Sequence, residues 1–261
     1  MLLVIDVGNT ETTLGLYEGE QLHAHWRITT NADRTPDELV LLLRALLAGS
    51  GIEPGAVHGS ALGSVVPSVT EPLREACTVL FGEGVLVIDA KSPLPIRLDV
   101  EEPASVGADR IINTLAASRR YGRDTIVVDL GTATTYDCIT ADGVFLGGVI
   151  APGIRTSAET LFRRTSKLPA TELVAPARAI GRRTEECVRA GVLFGAADAV
   201  DGIVRRIKRE WPTGREPLVV ATGGLATVLI PHCEEIDLVD QHLTLDGLRL
   251  SFELLRARPD V

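Results

Sequence analysis

Leu2-Leu3-Val4-Ile5-Asp6-Val7-Gly8-Asn9-Thr10 stands near the start of the chain, and Ile126-Val127-Val128-Asp129-Leu130-Gly131-Thr132 repeats its pattern in the second half. Each is an apolar run ending in Asp-apolar-Gly-polar. An apolar run of this length, closed by a glycine, reads as a buried strand that turns sharply at its end. A second strand follows each turn: Thr12-Thr13-Leu14-Gly15-Leu16-Tyr17 ahead of Glu18-Gly19, and Thr134-Thr135-Tyr136-Asp137-Cys138-Ile139 ahead of Asp142-Gly143. A glycine in each of these second turns suits a hairpin, and third strands are expected over residues 23–28 and 144–150.

Outward from these hairpins the pattern changes to helices alternating with single strands. Thr35-Pro36-Asp37-Glu38 carries the marks of a helix start, leading into Leu39 through Leu47. A strand at 61–66, a helix at 69–80 and a strand at 85–88 follow, and a helix at 106–120 closes the first half. The second half is expected to hold helices near 157–164 and 184–211, a strand at 218–222, a short helix at 225–230, a strand at 236–239 and a closing helix at 245–256. This alternation predicts an α/β fold with mixed sheets, built as two related domains over 1–117 and 118–261 with the ligand held in a cleft between them.

Composition narrows the function. The chain has 261 residues, 45% hydrophobic and 23% charged, a balance that forms packed cores and excludes a disordered chain. Its net charge of −9 argues against nucleic acid as the main partner, because a phosphate backbone requires a concentrated basic surface. No segment approaches the roughly 18 apolar residues of a membrane span, and Met1-Leu2-Leu3-Val4-Ile5-Asp6 has no basic leader, so no membrane partner and a cytoplasmic location are expected. Cys77, Cys138, Cys187 and Cys233 are widely spaced, which reads as buried free thiols and not as a disulfide framework or zinc site.

The two Asp-x-Gly turns are the candidate chemistry. A glycine there lets backbone N–H groups approach an anion, hydroxyls and amides at Asn9, Thr10, Thr12, Thr13, Thr132 and Thr134 add donors, and the aspartates can hold a metal ion or its waters. A Walker-type loop is absent, and neither turn runs into a helix as a dinucleotide fingerprint would. A third glycine site, Ala221-Thr222-Gly223-Gly224-Leu225-Ala226, lies between a strand and a helix and has room for a base or ribose against backbone.

These three sites, in this order, resemble the phosphate-1, phosphate-2 and adenosine motifs of the superfamily of actin, heat-shock chaperone ATPases and sugar kinases. Within it, nearly the whole chain resembles type III pantothenate kinase. The segments that carry the resemblance are 6–10, Ser64-Val65-Val66-Pro67, Val106-Gly107-Ala108-Asp109-Arg110, 128–136, Ile150-Ala151-Pro152-Gly153-Ile154, Lys167-Leu168-Pro169, Ile180-Gly181, 221–226 and 243–248. The resemblance implies two duplicated ribonuclease H-like, actin-like ATPase domains and ATP-dependent phosphorylation of pantothenate, the first step of coenzyme A synthesis. It implies ATP with Mg²⁺, and potassium or ammonium as a monovalent cation, with a homodimer as the working form.

Residue by residue, the resemblance assigns ATP to Asp6, Val7, Gly8, Asn9, Thr10, Glu11, Thr12, Thr13 and Thr132. It makes Asp109 the general base, gives Val100, Gly107, Ala108, Asp109, Arg110 and Thr184 to the substrate, and ties Asp129 to the monovalent cation. From the residues alone, Asp109 also suits the dipole of a helix N-terminus, Asp129 a Mg²⁺-organising role, and Thr184 an N-cap before Glu185-Glu186. Three positions depart from the family's usual pattern: Glu11 where Asn is frequent, Ser105 where Glu often stands, and Val100 where a pocket Tyr is expected. Another small-molecule kinase of the superfamily, or a non-catalytic nucleotide-binding regulatory or assembly protein, is the alternative reading.

Overall fold

The structure, a computed structural model, describes residues 1–82 and 84–257. It divides into two compact units: Met1–Arg119 joined by the segment from Leu243 onward, and Arg120–His242.

In the first unit, β1 (Leu2–Val7), β2 (Glu11–Glu18) and β3 (Gln21–Thr29) form an antiparallel meander, and β4 (Gly59–Ser64) and β5 (Leu86–Ile88) add in parallel beyond β1. The strand order is β3-β2-β1-β4-β5. β1 is central and nearly unbroken in apolar character because both of its faces are covered. Leu3, Ile5 and Val7 point to one side, where they meet Leu39, Leu43 and Leu47 of α1 (Pro36–Gly49) and Val69 and Leu73 of α2 (Pro67–Phe81). Val4, one step out of phase, points to the other side among Ile111, Ile112 and Leu115 of α3 (Ala108–Tyr121). A two-residue strand β6 (Arg97–Leu98) and a single 3₁₀ turn at Pro103–Ser105 lead into α3.

Local chemistry sets the helix starts. Thr35 accepts from the Glu38 amide while the Glu38 carboxylate accepts from the Thr35 amide, a reciprocal cap in front of Pro36. α2 likewise begins on a proline, Pro67, and ends at Gly82 in the left-handed region.

The second unit repeats the plan. β7 (Thr125–Leu130), β8 (Ala133–Ile139) and β9 (Val144–Pro152) form the meander, with β10 (Leu218–Thr222) and β11 (Leu238–Val239) parallel beyond β7. Its own strands run β9-β8-β7-β10-β11, the order of the first unit. The registers agree as well. Asp6 lies between Thr13 of the antiparallel neighbour and Gly63 of the parallel one, and Asp129 between Thr135 and Thr222. Ile126, Val128 and Leu130 pack under Leu193, Ala197, Val200 and Val204 of the long helix α5 (Thr184–Glu210). α4 (Ile154–Arg164) and a one-turn helix α6 (Ala226–Leu229) complete the unit. This is the duplicated ribonuclease H-like architecture, with a mixed sheet in each unit.

The last helix, α7 (Leu243–Arg256), belongs with the first unit, whereas a division at 117/118 places it in the second. Its apolar residues Leu245, Leu248 and Leu255 join Val4, Tyr17 and Ile112, and the Tyr17 hydroxyl donates to Asp246 at 2.7 Å. Gly247 lets the helix lie close to α3, since a Cβ there would stand 2.6 Å from Ile112. Such pairing between chain ends leaves no local mark in the sequence.

Among the cysteines, Cys77 and Cys138 are buried and Cys233 partly so, but Cys187 is exposed near the start of α5, contrary to the expectation that all four are buried. Burial pushes the Cys77 and Cys233 thiols up to about 12, which makes them unreactive at neutral pH. No helix among the described residues is long and apolar enough to cross a membrane.

Candidate active site

In the first unit the chemistry gathers where β1 ends. The Gly8 amide donates to the Glu11 carbonyl at 3.0 Å, closing a tight turn that leaves Asn9 and Thr10 exposed at its tip. Val7 is wholly buried, so only its backbone is available to a ligand. Thr13 and Asp6 are half-buried. Glu11 is exposed, paired in register with Thr29, which allows its carboxylate to stay in solvent. Thr12 is different: its side chain is buried and its hydroxyl lies 2.8 Å from that of Thr30, which in turn donates to the Gly8 carbonyl at 2.7 Å.

The first turn of α3 lies at the same edge. The Val65 amide donates to the Val7 carbonyl at 3.1 Å, and a Cβ on Gly107 would come to 3.4 Å from a Val65 methyl. That same Cβ would be 2.4 Å from Asp109 Oδ1, so Gly107 is needed for the carboxylate to fold back over the helix start. The Arg110 amide donates to Asp109 Oδ1 at 2.9 Å. Burial pushes the Asp109 carboxyl above the usual carboxylate range, and the Arg110 amide and guanidinium only partly offset it. A carboxylate held this way is a stronger base than a solvated one, which is what proton removal from a hydroxyl requires. Ala108 is buried and Arg110 half-buried. Val100 is half-buried in the short stretch between β6 and the Pro103–Ser105 turn, where the Ser105 hydroxyl donates to the Glu102 carbonyl at 2.8 Å.

In the second unit three glycines converge on the end of β7. The Gly131 amide donates to the Ala133 carbonyl at 3.0 Å, forming the counterpart of the Gly8 turn with Thr132 exposed on it. A Cβ on Gly153 would meet the Thr132 carbonyl oxygen at 2.3 Å and that of Gly131 at 2.5 Å, so α4 begins in direct contact with the turn. The Gly153 amide and the Thr156 hydroxyl both donate to the Thr132 carbonyl, at 3.2 and 2.7 Å. Gly223 lies against Asp129 and Leu130, and the Leu225 amide donates to the Leu130 carbonyl at 3.3 Å. The structure thus brings Asp129, the Gly131–Thr132 turn and the Gly223–Gly224 loop together.

Thr184 stands apart from this group in role. It is exposed and is the first residue inside α5; the N-cap is Arg183, and no side chain caps from that position. The capping role expected for Thr184 therefore falls elsewhere: the Glu186 carboxylate reaches back to accept from the Arg182 amide at 2.8 Å, which lowers its pKa. The chain enters the helix one residue earlier than the Thr-Glu-Glu pattern suggests, and Gly181 packs close to the Cys187 amide.

Among the described residues no group of three or more His, Cys, Asp and Glu side chains is placed to hold a metal ion. The oxygen donors present are single aspartates beside turn amides. They fit a hard cation whose remaining ligands are water and phosphate oxygens, as is usual for Mg²⁺ on a nucleotide.

Comparison with known proteins decides the family. A sequence profile of type III pantothenate kinase matches residues 2–206. The chain belongs to the type III pantothenate kinase family. A relative of that name from Roseiflexus sp. (strain RS-1) is 47% identical, with 98% of this chain and 100% of the relative covered. Others from Thermomicrobium roseum and Moorella thermoacetica are 48% and 46% identical, each over 97% of this chain and 97% and 99% of their own. Among solved structures, the activator of 2-hydroxyisocaproyl-CoA dehydratase from Clostridium difficile, with bound ADPNP, superposes with a TM-score of 0.57 at 12% identity, covering 100% of this chain and 98% of that one. The ROK hexokinase from Thermus thermophilus does so at 0.51 and 15%, covering 97% and 99%. At these identities the two structures speak for the fold alone, and it is that of the actin-like ATPases and sugar kinases.

Two residues that bond to these turns escaped the sequence reading, Thr30 and Thr156.

Proposed function

We propose that this chain is an ATP-dependent pantothenate kinase that transfers the γ-phosphoryl group of ATP to the primary hydroxyl of pantothenate, yielding 4'-phosphopantothenate for coenzyme A synthesis. The observation that carries this reading is Asp109. In a member of this family, the Gly-Ala-Asp-Arg segment forms the first turn of α3 and holds a desolvated carboxylate beside the end of β1.

Phosphoryl transfer asks the protein for position and charge neutralisation more than for covalent chemistry. The turn amides after β1 and β7 bind the phosphates, with Asn9, Thr10, Thr13 and Thr132 adding polar groups at the exposed edges. An aspartate at a strand end would hold Mg²⁺ directly or through water, and the ion would supply charge neutralisation to the phosphate oxygens. Asp109 accepts the proton of the attacking hydroxyl, and Arg110 meets the substrate carboxylate or the phosphoryl group in flight. Val100, Gly107 and Ala108 form the apolar wall and close backbone of the substrate pocket. Asp129 holds a potassium or ammonium ion, and Thr184 completes the site of a second copy in a homodimer. The enzyme works in the cytoplasm.

Purified protein incubated with ATP, Mg²⁺, potassium and pantothenate is expected to yield ADP and a product heavier by one phosphoryl group. ATP consumption with another alcohol but none with pantothenate would leave a kinase of a different substrate. No transfer to any alcohol, despite tight ATP binding, would favour a non-catalytic nucleotide-binding protein.

A further inference from the structure

Each phosphate turn is braced from behind by a threonine that lies outside it. In the first unit Thr30, just past β3, donates its hydroxyl to the Gly8 carbonyl at 2.7 Å, and its amide donates to the Thr10 carbonyl at 2.9 Å. In the second unit Thr156, in the first turn of α4, donates its hydroxyl to the Thr132 carbonyl at 2.7 Å, and the Gly153 amide donates to the same carbonyl at 3.2 Å. Each unit thus pins its turn with a hydroxyl and an amide from the segment after the third strand, although the carbonyls held differ: Gly8 and Thr10 in the first unit, Thr132 alone in the second.

The order of protons in the first brace can be derived. A hydroxyl carries one hydrogen, and that of Thr30 is directed to Gly8. In the Thr12–Thr30 contact Thr12 is therefore the donor, and the chain runs Thr12 to Thr30 to Gly8. Thr12 is buried, so it serves the turn through Thr30.

The consequence for phosphate binding follows from peptide geometry. In a trans peptide the carbonyl of one residue and the N–H of the next point in opposite directions, and no cis peptide occurs among the described residues. Fixing the Gly8 carbonyl toward Thr30 fixes the Asn9 N–H on the other side. Fixing the Thr132 carbonyl toward Thr156 likewise fixes the Ala133 N–H on the other side. A carbonyl that rotated outward would set partial negative charge against a polyphosphate, where the site needs donors. We propose that Thr30 and Thr156 are positioning residues, one for each phosphate turn, which hold the turn peptides in the orientation that binds the ATP phosphates. This inference rests on the kinase reading above and adds two residues to it.

The test compares Thr30→Val and Thr156→Val, which remove the hydroxyl at nearly constant shape, with Thr30→Ser and Thr156→Ser, which keep it. Each valine variant is expected to raise the KM for ATP by about three- to tenfold, the loss of one ordinary hydrogen bond. The KM for pantothenate is expected to stay at its wild-type value, and the serine variants to stay near wild type for both substrates. A wild-type ATP KM in both valine variants overturns the proposal. So does a parallel rise in both KM values, or serine variants as impaired as valine ones, since either marks a merely structural role. If Thr30→Val does not fold, Thr156→Val decides alone, because Thr156 is exposed. If the wild type does not phosphorylate pantothenate, the pantothenate assignment fails separately. Calorimetric titration with MgATP then reads the braces, with the same three- to tenfold weakening expected and an unchanged Kd overturning them.

Discussion

Gly223 approaches Asp129 so closely that a Cβ on the glycine would stand 2.5 Å from the Asp129 Oδ1 atom. It would also lie 2.7 Å from the Leu130 amide nitrogen. The glycine has φ of +92°, a region side-chain-bearing residues avoid. The proposed nucleotide loop after β10 and the phosphate turn after β7 are therefore packed backbone to backbone.

Gly223→Ala tests that contact. Strain of this kind costs about 1–3 kcal/mol, and here the Leu130 backbone cannot yield without moving the turn. The variant is expected to unfold at lower denaturant and to lose ATP affinity together. An alanine variant with wild-type ATP KM and stability would show that the loop can move freely away from β7.

Asp109→Asn separates catalysis from stability. Because burial raises the Asp109 pKa above its unfolded value, the folded protein binds that proton more tightly than the unfolded chain does. Its contribution to stability is thus present at low pH and is lost as pH rises through the folded pKa, so at neutral pH the charged carboxylate is a net cost. Asparagine removes the charge and keeps an oxygen for the Arg110 amide. The variant is expected to melt no lower than wild type at pH 7 while kcat falls by roughly 10²-fold or more. For the wild type, the acid limb of kcat is expected to lie above the range of an ordinary aspartate. Retained turnover in Asp109→Asn would remove the base assignment.

How far these features were legible from sequence depends on the range of the interactions behind them. The Asp6–Gly8 and Asp129–Gly131 turns could be read because apolar run, aspartate and glycine are neighbours in the chain, and the strand registers agree with that reading. The reciprocal cap at Thr35 and Glu38 is equally local. The return of α7 to the first unit was not legible, since it depends on Leu245 and Leu248 meeting Val4 and Ile112 from the far end of the chain. Nor were the braces, because a single threonine after a strand has no pattern until the carbonyl it meets is known. At α5 the Thr-Glu-Glu signature misplaced the cap by one residue, since the N-cap is Arg183 and no side chain caps it.

Asp129 carries the proposed monovalent-cation dependence. Its carboxylate lies against the Gly223 and Gly131 backbones, and a carboxylate oxygen is a hard ligand that suits such a cation. Replacing potassium by sodium is expected to remove most of the turnover, ammonium is expected to restore it, and Asp129→Asn is expected to abolish the difference. Thr184→Ala is expected to raise the KM for pantothenate in a protein that remains dimeric by light scattering. Equal rates in sodium and potassium, or a fully active monomer, would contradict these two assignments.

In the proposed substrate pocket Val100 stands where the resemblance to the family leads one to expect tyrosine. The residue is half-buried ahead of the Pro103–Ser105 turn that leads to Gly107 and Asp109, so its side chain and the proposed base are joined by a short, ordered stretch. A tyrosine there would supply both a ring surface and a hydroxyl, whereas valine supplies an apolar wall without a donor. One hydrogen bond to the substrate is worth about 0.5–1.5 kcal/mol, a few-fold to about tenfold in affinity. Because neither Asp109 nor the phosphate turns change, the effect falls on substrate binding and spares the chemical step. Val100→Tyr is therefore expected to lower the KM for pantothenate by up to about tenfold, or to leave it unchanged where water already fills the place of the hydroxyl, with kcat held constant. Steady-state kinetics at saturating ATP measures this directly. A large fall in kcat with unchanged KM would instead place residue 100 against the reacting atoms, and the pocket wall would have to be assigned to other residues.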